Sequence, residues 1–480
     1  MHFLRENGCL PLVVVDLESN RSSIVSYLKK EHIAADFIGI ADVDRDNCRL
    51  SPTAETVLTE ALKKHRLNKA IISTEPKGHL AYGRFFLNHN MDVLIDKPIT
   101  APVGSSCRVE SAQQIYTDYG ELRDLAAKNS GVRCVVQSQR RYHAGYRQVK
   151  RLLQETMTKY DVPLTHIYSY HCDGLWNMPN EYRERENHPY KYGYGKLMHS
   201  GYHFVDVFAW LAELNWQIER KRPDTVELFH QMCEPNDCLF QVDADNYRSF
   251  FGAKETEKLF AHYKPSDYQT YGEVDSYTQL QLKRGDQVVT SGAIHLLQNG
   301  FSRRAWSQLP EDTYKGNGRV RHEQLNVQVG PLLNVQINSC ESHEIHDDQS
   351  EAAVTSLGGL EHFEIAVFRN KQLIGGNAVE RWRVRTKNEE NGYLGHNEEA
   401  RQLGLQDFLR NDYSTNEPVS EISQHDLTNR LLSYIHLASC QKRAGKIPYL
   451  TAGLTGEGIA LTPAEYSGRY EASDLQRIDP

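Results

Sequence analysis

Five short apolar runs rich in Val and Ile, separated by amphipathic stretches, dominate the first 136 residues. They are "LVVV" (12–15), "FIGIA" (37–41), "KAIIS" (69–73), "DVLI" (92–95) and "VRCVV" (132–136). Runs of this length and composition read as buried strands. Between them, "TAETVLTEALKKH" places Val57, Leu58, Ala61 and Leu62 at helical spacing. A strand–helix–strand–helix order requires a parallel sheet with helices on both faces. Ligands of such sheets bind outside the carboxyl ends of the strands.

After about residue 146 the pattern changes. "SYTQLQLKRGDQVVTSGAIHLL" (276–297) alternates and turns at "RGD", and 321–340 and 362–384 repeat the style. Alternation broken by turn residues signals hairpins. Near the end, Leu427, Leu431, Leu432, Ile435 and Ala438 share one helical face. The stretches around 175–195, 233–245 and 303–320, rich in Asn, Pro, Gly and Tyr, read as loops. The expected architecture is a Rossmann-like doubly wound parallel sheet over 1–145. An α+β domain with a large open antiparallel sheet follows over 146–480.

A net charge of −8, with both signs mixed along the chain, leaves no basic stripe for a nucleic acid. No run approaches the roughly 18 apolar residues of a membrane span. The start "MHFLRENGCLPLVVV" lacks the features of a secretory signal. Nine scattered cysteines without a CxxC pair suit a reducing compartment, so a cytoplasmic protein is expected.

Three places carry candidate chemistry. Asp42 closes the second strand, where a carboxylate accepts hydrogen bonds from a ribose diol and repels a 2′-phosphate; a loop carboxylate is the plainer alternative. Thr74, Pro76 and His79 follow the third strand, and Asp96, Lys97 and Pro98 the fourth. A lysine there donates to a hydroxyl or a developing alkoxide, although surface lysines after strands are common. In "YGYGKLMHSGYHFVDVFAWLAEL" (192–214), a helix beginning near Lys196 would align His199, His203, Asp206 and Trp210 on one stripe. Such a stripe suits a base with its orienters, metal ligation by two histidines and a carboxylate, or satisfied core histidines. The acid–base reading is adopted and no metal is expected. The acidic run "ESHEIHDDQSE" (341–351) lacks metal-ligand spacing and reads as a solvated loop.

Taken in order, these segments resemble the glucose–fructose oxidoreductase and inositol dehydrogenase (Gfo/Idh/MocA) family. "VLIDKPI" matches its Glu-Lys-Pro with Asp96 for Glu, and Thr74, Pro76 and His79 match its Thr-Pro…His element. Its Gly-x-Leu-x-Asp-x-Gly-x-His pattern is matched at Gly195, Leu197, Gly201 and His203, followed by Asp206. "VVQSQRRYHAGYRQVKRLL" (135–153) is similar to its last Rossmann strand and linking helix. The resemblance implies reversible hydride transfer between a nicotinamide, NAD or NADP, and a sugar, polyol or cyclitol carbon. It implies that Lys97 polarises the oxygen and that His203 exchanges its proton, with His199 and Asp206 alongside. It places Asp42, Thr74, Pro76, His79, Asp96, Lys97 and Pro98 around the cofactor, with Asp42 favouring NAD, and implies a homo-oligomer.

Two positions depart from the pattern. Where the family carries Gly-x-Gly-x-x-Gly, this chain has Asp16, Glu18 and Arg21, with no glycine between Leu10 and Ile38. His199 stands where the family has aspartate, leaving Asp206 as the candidate orienter of His203. An NAD-dependent glycosidase or lyase with no net redox change, and a non-catalytic sensor or partner subunit that has lost the cofactor, are the alternatives these departures raise.

Overall fold

The computed structural model describes residues 4–5, 7–44, 49–129, 131–308, 318–342, 354–384, 387–389, 392–410, 418–454 and 475–477. All five expected early strands form: β1 (Val13–Leu17), β2 (Asp36–Ile40), β3 (Lys69–Ile72), β4 (Asp92–Asp96) and β5 (Cys134–Gln137). Their pairings are parallel, but they form two pieces, β1–β2 and β3–β4–β5.

Strand alternation puts Val93 and Ile95 of β4 on one face, packed with Leu80, Leu87, Tyr119 and Leu122 of the helices His79–Asn88 and Val109–Lys128. Leu94 points the other way and, with Val135, meets Phe408 of the helix His396–Leu409. The chain's far end thus returns to cover the parallel strands. It is tied there by the Val136 N–H donating to Ser420 O at 2.8 Å and the Cys134 N–H to Glu421 Oε1 at 2.9 Å.

The later strands are β6 (His166–Leu175), β7 (Thr225–Cys233), β8 (Asp275–Arg284), β9 (Gln287–Asn299), β10 (Val320–Val329), β11 (Leu333–Ser342), β12 (Glu364–Arg369) and β13 (Val379–Val384). A separate small hairpin joins β14 (Lys387–Glu389) to β15 (Gly392–Leu394), and β16 (Tyr449–Gly453) and β17 (Leu475–Arg477) complete the set. Ten of them form one sheet in the order β16-β7-β8-β9-β6-β10-β11-β12-β13-β17. Every pairing in it is antiparallel except β6 with β9. The "RGD" hairpin forms as expected, with Arg284 opposite Gln287 and Gly285 at φ +54°, a backbone conformation glycine adopts without penalty.

One face of this sheet, including Ile167, Leu280, Ile294, Val327, Val335 and Ile365, is fully buried. Tyr146, Val149 and Leu153 of the helix Ala144–Tyr160, Val205 and Phe208 of Tyr202–Ala212, and Leu431 and Ile435 of Asp426–Arg443 pack into the same core. Each such side chain contributes about 1.5–3 kcal/mol of burial.

Two local expectations are corrected. The stretch 233–245 is not a plain loop: it contains the helix Pro235–Gln241 and the start of Ala244–Phe251. Reciprocal capping by Glu234 with Asp237, and by Asp243 with Asn246, starts these two helices. The helix expected from near Lys196 begins instead at Tyr202. Residues 195–200 form a turn fastened to Glu273, whose carbonyl accepts the Lys196 N–H and whose Oε1 accepts the Leu197 N–H, both at 2.8 Å. Of the expected loops and clusters, 309–317 and 343–353 lie outside the described residues.

Candidate active site

A cavity of about 590 Å³ lies where the carboxyl ends of β3, β4 and β5 face the large sheet. From the parallel side it is lined by Ser73, Asp96, Lys97, Gln137 and Arg140. The sheet contributes His171 and Asp173 of β6, Arg321 of β10 and Glu341 of β11, with Arg319 just before β10. His203, His188, Glu361, Glu398 and Arg401 close it. This is the position at which doubly wound sheets bind ligands.

The charges around the cavity are mostly paired. Arg140 meets Glu323, Arg319 meets Asp173, and Arg401 meets Glu398. Arg321 donates to Glu341 at 2.6 Å. Behind the wall the buried Lys196 donates to Asp173 at 2.6 Å and lies 3.0 Å from His171 Nδ1. Burial opposes ionisation of Asp173, but Lys196, Arg319 and His171 outweigh it and hold the carboxyl well below the usual range.

Lys97 differs. Its Nζ donates to the carbonyl of His199 at 3.1 Å, and among the described residues it has no carboxylate ion-pair partner. Burial lowers its pKa, against the pull of Asp96. His203, 7 % exposed, has no hydrogen-bond partner at Nδ1. Burial and then the charges of Lys97, Arg140 and Arg401 hold its pKa well below the ordinary value, so the ring is neutral at pH 7. An ammonium with unused protons beside a neutral imidazole can polarise a ligand oxygen and accept its proton.

The structure brings Lys97, Asp96 and His203 to one cavity and puts the remaining expected residues to other uses. His199 lies on the turn before the helix, its ring stacked on His188 (centroids 4.9 Å apart, planes at 19°) and edge-on to Tyr190 and Tyr194. It holds Lys97 through its backbone carbonyl. Asp206 does not orient His203: its oxygens accept from Arg141 at 3.0 and 2.7 Å, Thr428 at 2.8 Å and Ser138 at 2.5 Å, with His425 Nδ1 3.1 Å away. His79 is wholly buried, its ring nitrogens 2.8 Å from Pro98 O and 3.1 Å from Thr74 O, clamping the turn that begins at Pro76 to the Lys97 segment. The Lys97–Pro98 peptide is cis.

Glycines set the turn under His199. A Cβ on Gly195 would lie 2.0 Å from Glu273 O, and one on Gly201 would lie 2.4 Å from Lys196 O. Sequence reasoning missed His171 with Asp173 and Arg319 with Arg321. Their signal was i, i+2 spacing, which puts His171 and Asp173 on one face of β6 and sets Arg319 one residue ahead of β10 with Arg321 inside it.

The first βα turn does not fit a dinucleotide. A pyrophosphate needs close backbone approach and free N–H groups at this point. Here the Glu18 side chain lies across β2, so that a Cβ on Gly39 would come within 1.6 Å of its Oε2. Glu18 pairs with Arg21 (Nη2 to Oε2, 2.8 Å), and the Leu17 N–H donates to Asp16 at 2.7 Å. Asp42, expected to hold a ribose, instead accepts the Ser19 N–H at 3.2 Å. Two backbone donors of the turn, the Leu17 and Ser19 N–H groups, are already turned to carboxylates, and added negative charge beside Asp16, Glu18 and Asp42 would be repelled. Among the described residues no cluster of His, Cys, Asp or Glu is arranged to hold a metal ion, and no helix is long and apolar enough to cross a membrane.

No protein-family model and no curated protein matches the chain. Solved structures do. An NAD-binding oxidoreductase from Klebsiella pneumoniae superposes with a TM-score of 0.53 at 10 % identity, covering 95 % of this chain and 93 % of that one. An oxidoreductase domain protein from Kribbella flavida gives 0.54 at 11 %, covering 93 % and 90 %. The WlbA dehydrogenase from Bordetella pertussis, solved with NADH and UDP-GlcNAcA, gives 0.51 at 11 %, covering 95 % and 94 %. At these identities the likeness is one of fold: the chain has the two-domain architecture of NAD-binding oxidoreductases, parallel β/α segments followed by a large, mostly antiparallel sheet.

Proposed function

We propose that this chain is a divergent Gfo/Idh/MocA-type, oxidoreductase-like enzyme whose crevice binds a polyhydroxylated small molecule, a sugar, polyol or cyclitol. Lys97 stabilises charge on the oxygen of one hydroxyl- or carbonyl-bearing carbon, and His203 takes or returns its proton. The observation that carries this reading is the presence, in one cavity, of Lys97, which has no carboxylate ion-pair partner among the described residues, and a neutral His203. The surrounding guanidinium–carboxylate pairs offer many donors and acceptors, which suits a neutral ligand dense in hydroxyls.

These residues supply the proton half of an alcohol–carbonyl interconversion. A second reading, acid–base chemistry with no net redox change such as that of a glycosidase or lyase, is favoured by the self-closed first turn. A homo-oligomer through the outer face of the large sheet is supported by Tyr168, Tyr170 and Asn326, which are only half-buried there.

The test titrates nucleotide-stripped protein calorimetrically with NADH and NADPH, then screens sugars and polyols for turnover. Silence towards both nucleotides with turnover of a glycoside selects the second reading, and micromolar NADH binding selects the redox one. Lys97→Met and His203→Ala are each expected to lower turnover at least tenfold with the fold intact. Full activity in both variants would remove this site assignment.

A further inference from the structure

The β6 wall of the cavity is held from behind by a buried ammonium. Lys196 is wholly buried, and its charged head has three N–H bonds and no lone pair to accept with. The three go to Asp173 Oδ2 at 2.6 Å, Ser200 Oγ at 2.9 Å and His171 Nδ1 at 3.0 Å. Asp173 also accepts the Ser200 hydroxyl at 2.5 Å, and Arg319 meets both its carboxylate and its backbone carbonyl. This carboxylate keeps Lys196 charged.

Three donors meeting three acceptors set the tautomer of His171. Nδ1 accepts from Lys196 and carries no proton, so the ring proton is on Nε2. A second ring proton would have to sit on Nδ1 against the ammonium, and the ring therefore stays neutral. Burial and then the Lys196 charge act the same way on its pKa, with Arg321 and Arg319 adding and Asp173 opposing. Stacking on Phe204, with centroids 4.1 Å apart and planes at 12°, fixes the plane of the ring, and both residues line the cavity. Nε2 lies 3.8 Å from Asp173 Oδ1, beyond hydrogen-bond reach, and has no partner among the described residues.

We propose that His171 binds the ligand of the crevice as a neutral donor, giving its Nε2–H to an oxygen other than the one handled by Lys97 and His203. Lys196 is the positioning residue that holds the ring in this form. The proposal rests on the reading of the crevice as the ligand site. His171 transfers no proton, because Nδ1 is occupied by Lys196 and a neutral imidazole N–H is too weak an acid to give its proton up. Its part is to orient the ligand and to select it. A hydroxyl, ether or carbonyl oxygen offers the lone pair this position needs. An ammonium, as in an amino sugar, has none and is refused.

The test is NMR of the full chain labelled with ¹⁵N in its histidine rings, where the one-bond ¹H coupling shows which nitrogen carries the proton. The His171 signals are those absent from His171→Gln, and Overhauser contacts to the Phe204 ring identify them if that variant fails to fold. The proton is expected on Nε2 alone from about pH 8 to 5.5, across the ordinary histidine midpoint of about 6.5. A proton on Nδ1, or an imidazolium forming in that range, overturns the proposal. Lys196→Met, where it folds, should let Nδ1 take part of the proton, and a tautomer that stays put there overturns the role given to Lys196. Glucose and myo-inositol are then added as probes, with the His203 ring signals in the same spectra reporting occupation of the crevice. A probe that moves His203 is expected to move the His171 Nε2 signal and to bind roughly fivefold more weakly to His171→Phe, the worth of one neutral hydrogen bond. A probe that moves His203 but leaves the His171 signal and this affinity unchanged overturns the proposal. If neither probe moves His203, the polyol reading fails, and the tautomer in the free chain decides this proposal by itself.

Discussion

Replacing Asp206 with asparagine separates a structural role from a catalytic one. Asp206 and Arg141 are both fully buried and joined through two hydrogen bonds, with Ser138, Thr428 and His425 completing the shell of the carboxylate. Asp206→Asn removes the charge, turns an amide NH₂ towards existing donors, and leaves the Arg141 guanidinium uncompensated in the core. Breaking a buried pair from one side costs about 3–5 kcal/mol, a large share of the roughly 5–15 kcal/mol that stabilises a typical domain. Urea unfolding followed by circular dichroism measures the loss directly. His203→Gln is the comparison, because Nδ1 of the native ring has no partner to lose, and a change of about 1 kcal/mol or less is expected there. A loss below about 1 kcal/mol in Asp206→Asn, together with collapse of turnover, would refute the structural assignment.

Gly195→Ala should destabilise by about 1–3 kcal/mol or more, since its Cβ would meet the Glu273 carbonyl at 2.0 Å and push the Lys196 turn off its anchor; an unchanged melting temperature would contradict this. Acid should weaken the protein early. Burial holds His230 near a pKa of about 3 and His425 near about 4. Both lie below the unfolded value of about 6.5, so below that pH the unfolded chain binds more protons and stability falls as pH drops. The expected slope is about 1.4 kcal/mol per pH unit for each such histidine, lost between about pH 6.5 and 4. Urea unfolding at about pH 7, 6 and 5 reads it, His230→Asn should remove one histidine's share of the slope, and a level profile in the native chain would refute it.

The elements most legible in the sequence are those whose period is set by local burial. The early strands are short apolar runs because both faces of a parallel sheet are covered. The 276–297 hairpin is legible because one face alternates into the core. Lys97 and His203 stand out because a strand end and a patterned helix start are local features. Glu361 and Arg401 were not legible, since the cavity they line is formed with β4, β5 and β6, far from them along the chain. The approach of the helix His396–Leu409 to Leu94 and Val135 has no local signal at all. Asp206 was misassigned for the same reason. Spacing aligned it with His203, whereas Arg141 and Thr428, from two other segments, determine its contacts.

The division of the parallel strands gives the departures from the family pattern a physical reading. Lys97 follows β4, and β4 pairs only with β3 and β5. His203 opens a helix buried under the large sheet, and the turn before that helix is anchored to Glu273. None of these supports passes through β1, β2 or the turn between β1 and the helix Arg21–Lys30. That turn is closed within itself by the Glu18–Arg21 and Ser19–Asp42 contacts. Among the described residues, the hydrogen bonds named for this turn stay within it and the residues just after β2 and reach no residue that lines the crevice. The hydrogen bonds and packing named for Lys97 and His203 thus stand independently of how the first turn is closed. For that reason the absence of glycines from this turn leaves the supports of Lys97 and His203 in place.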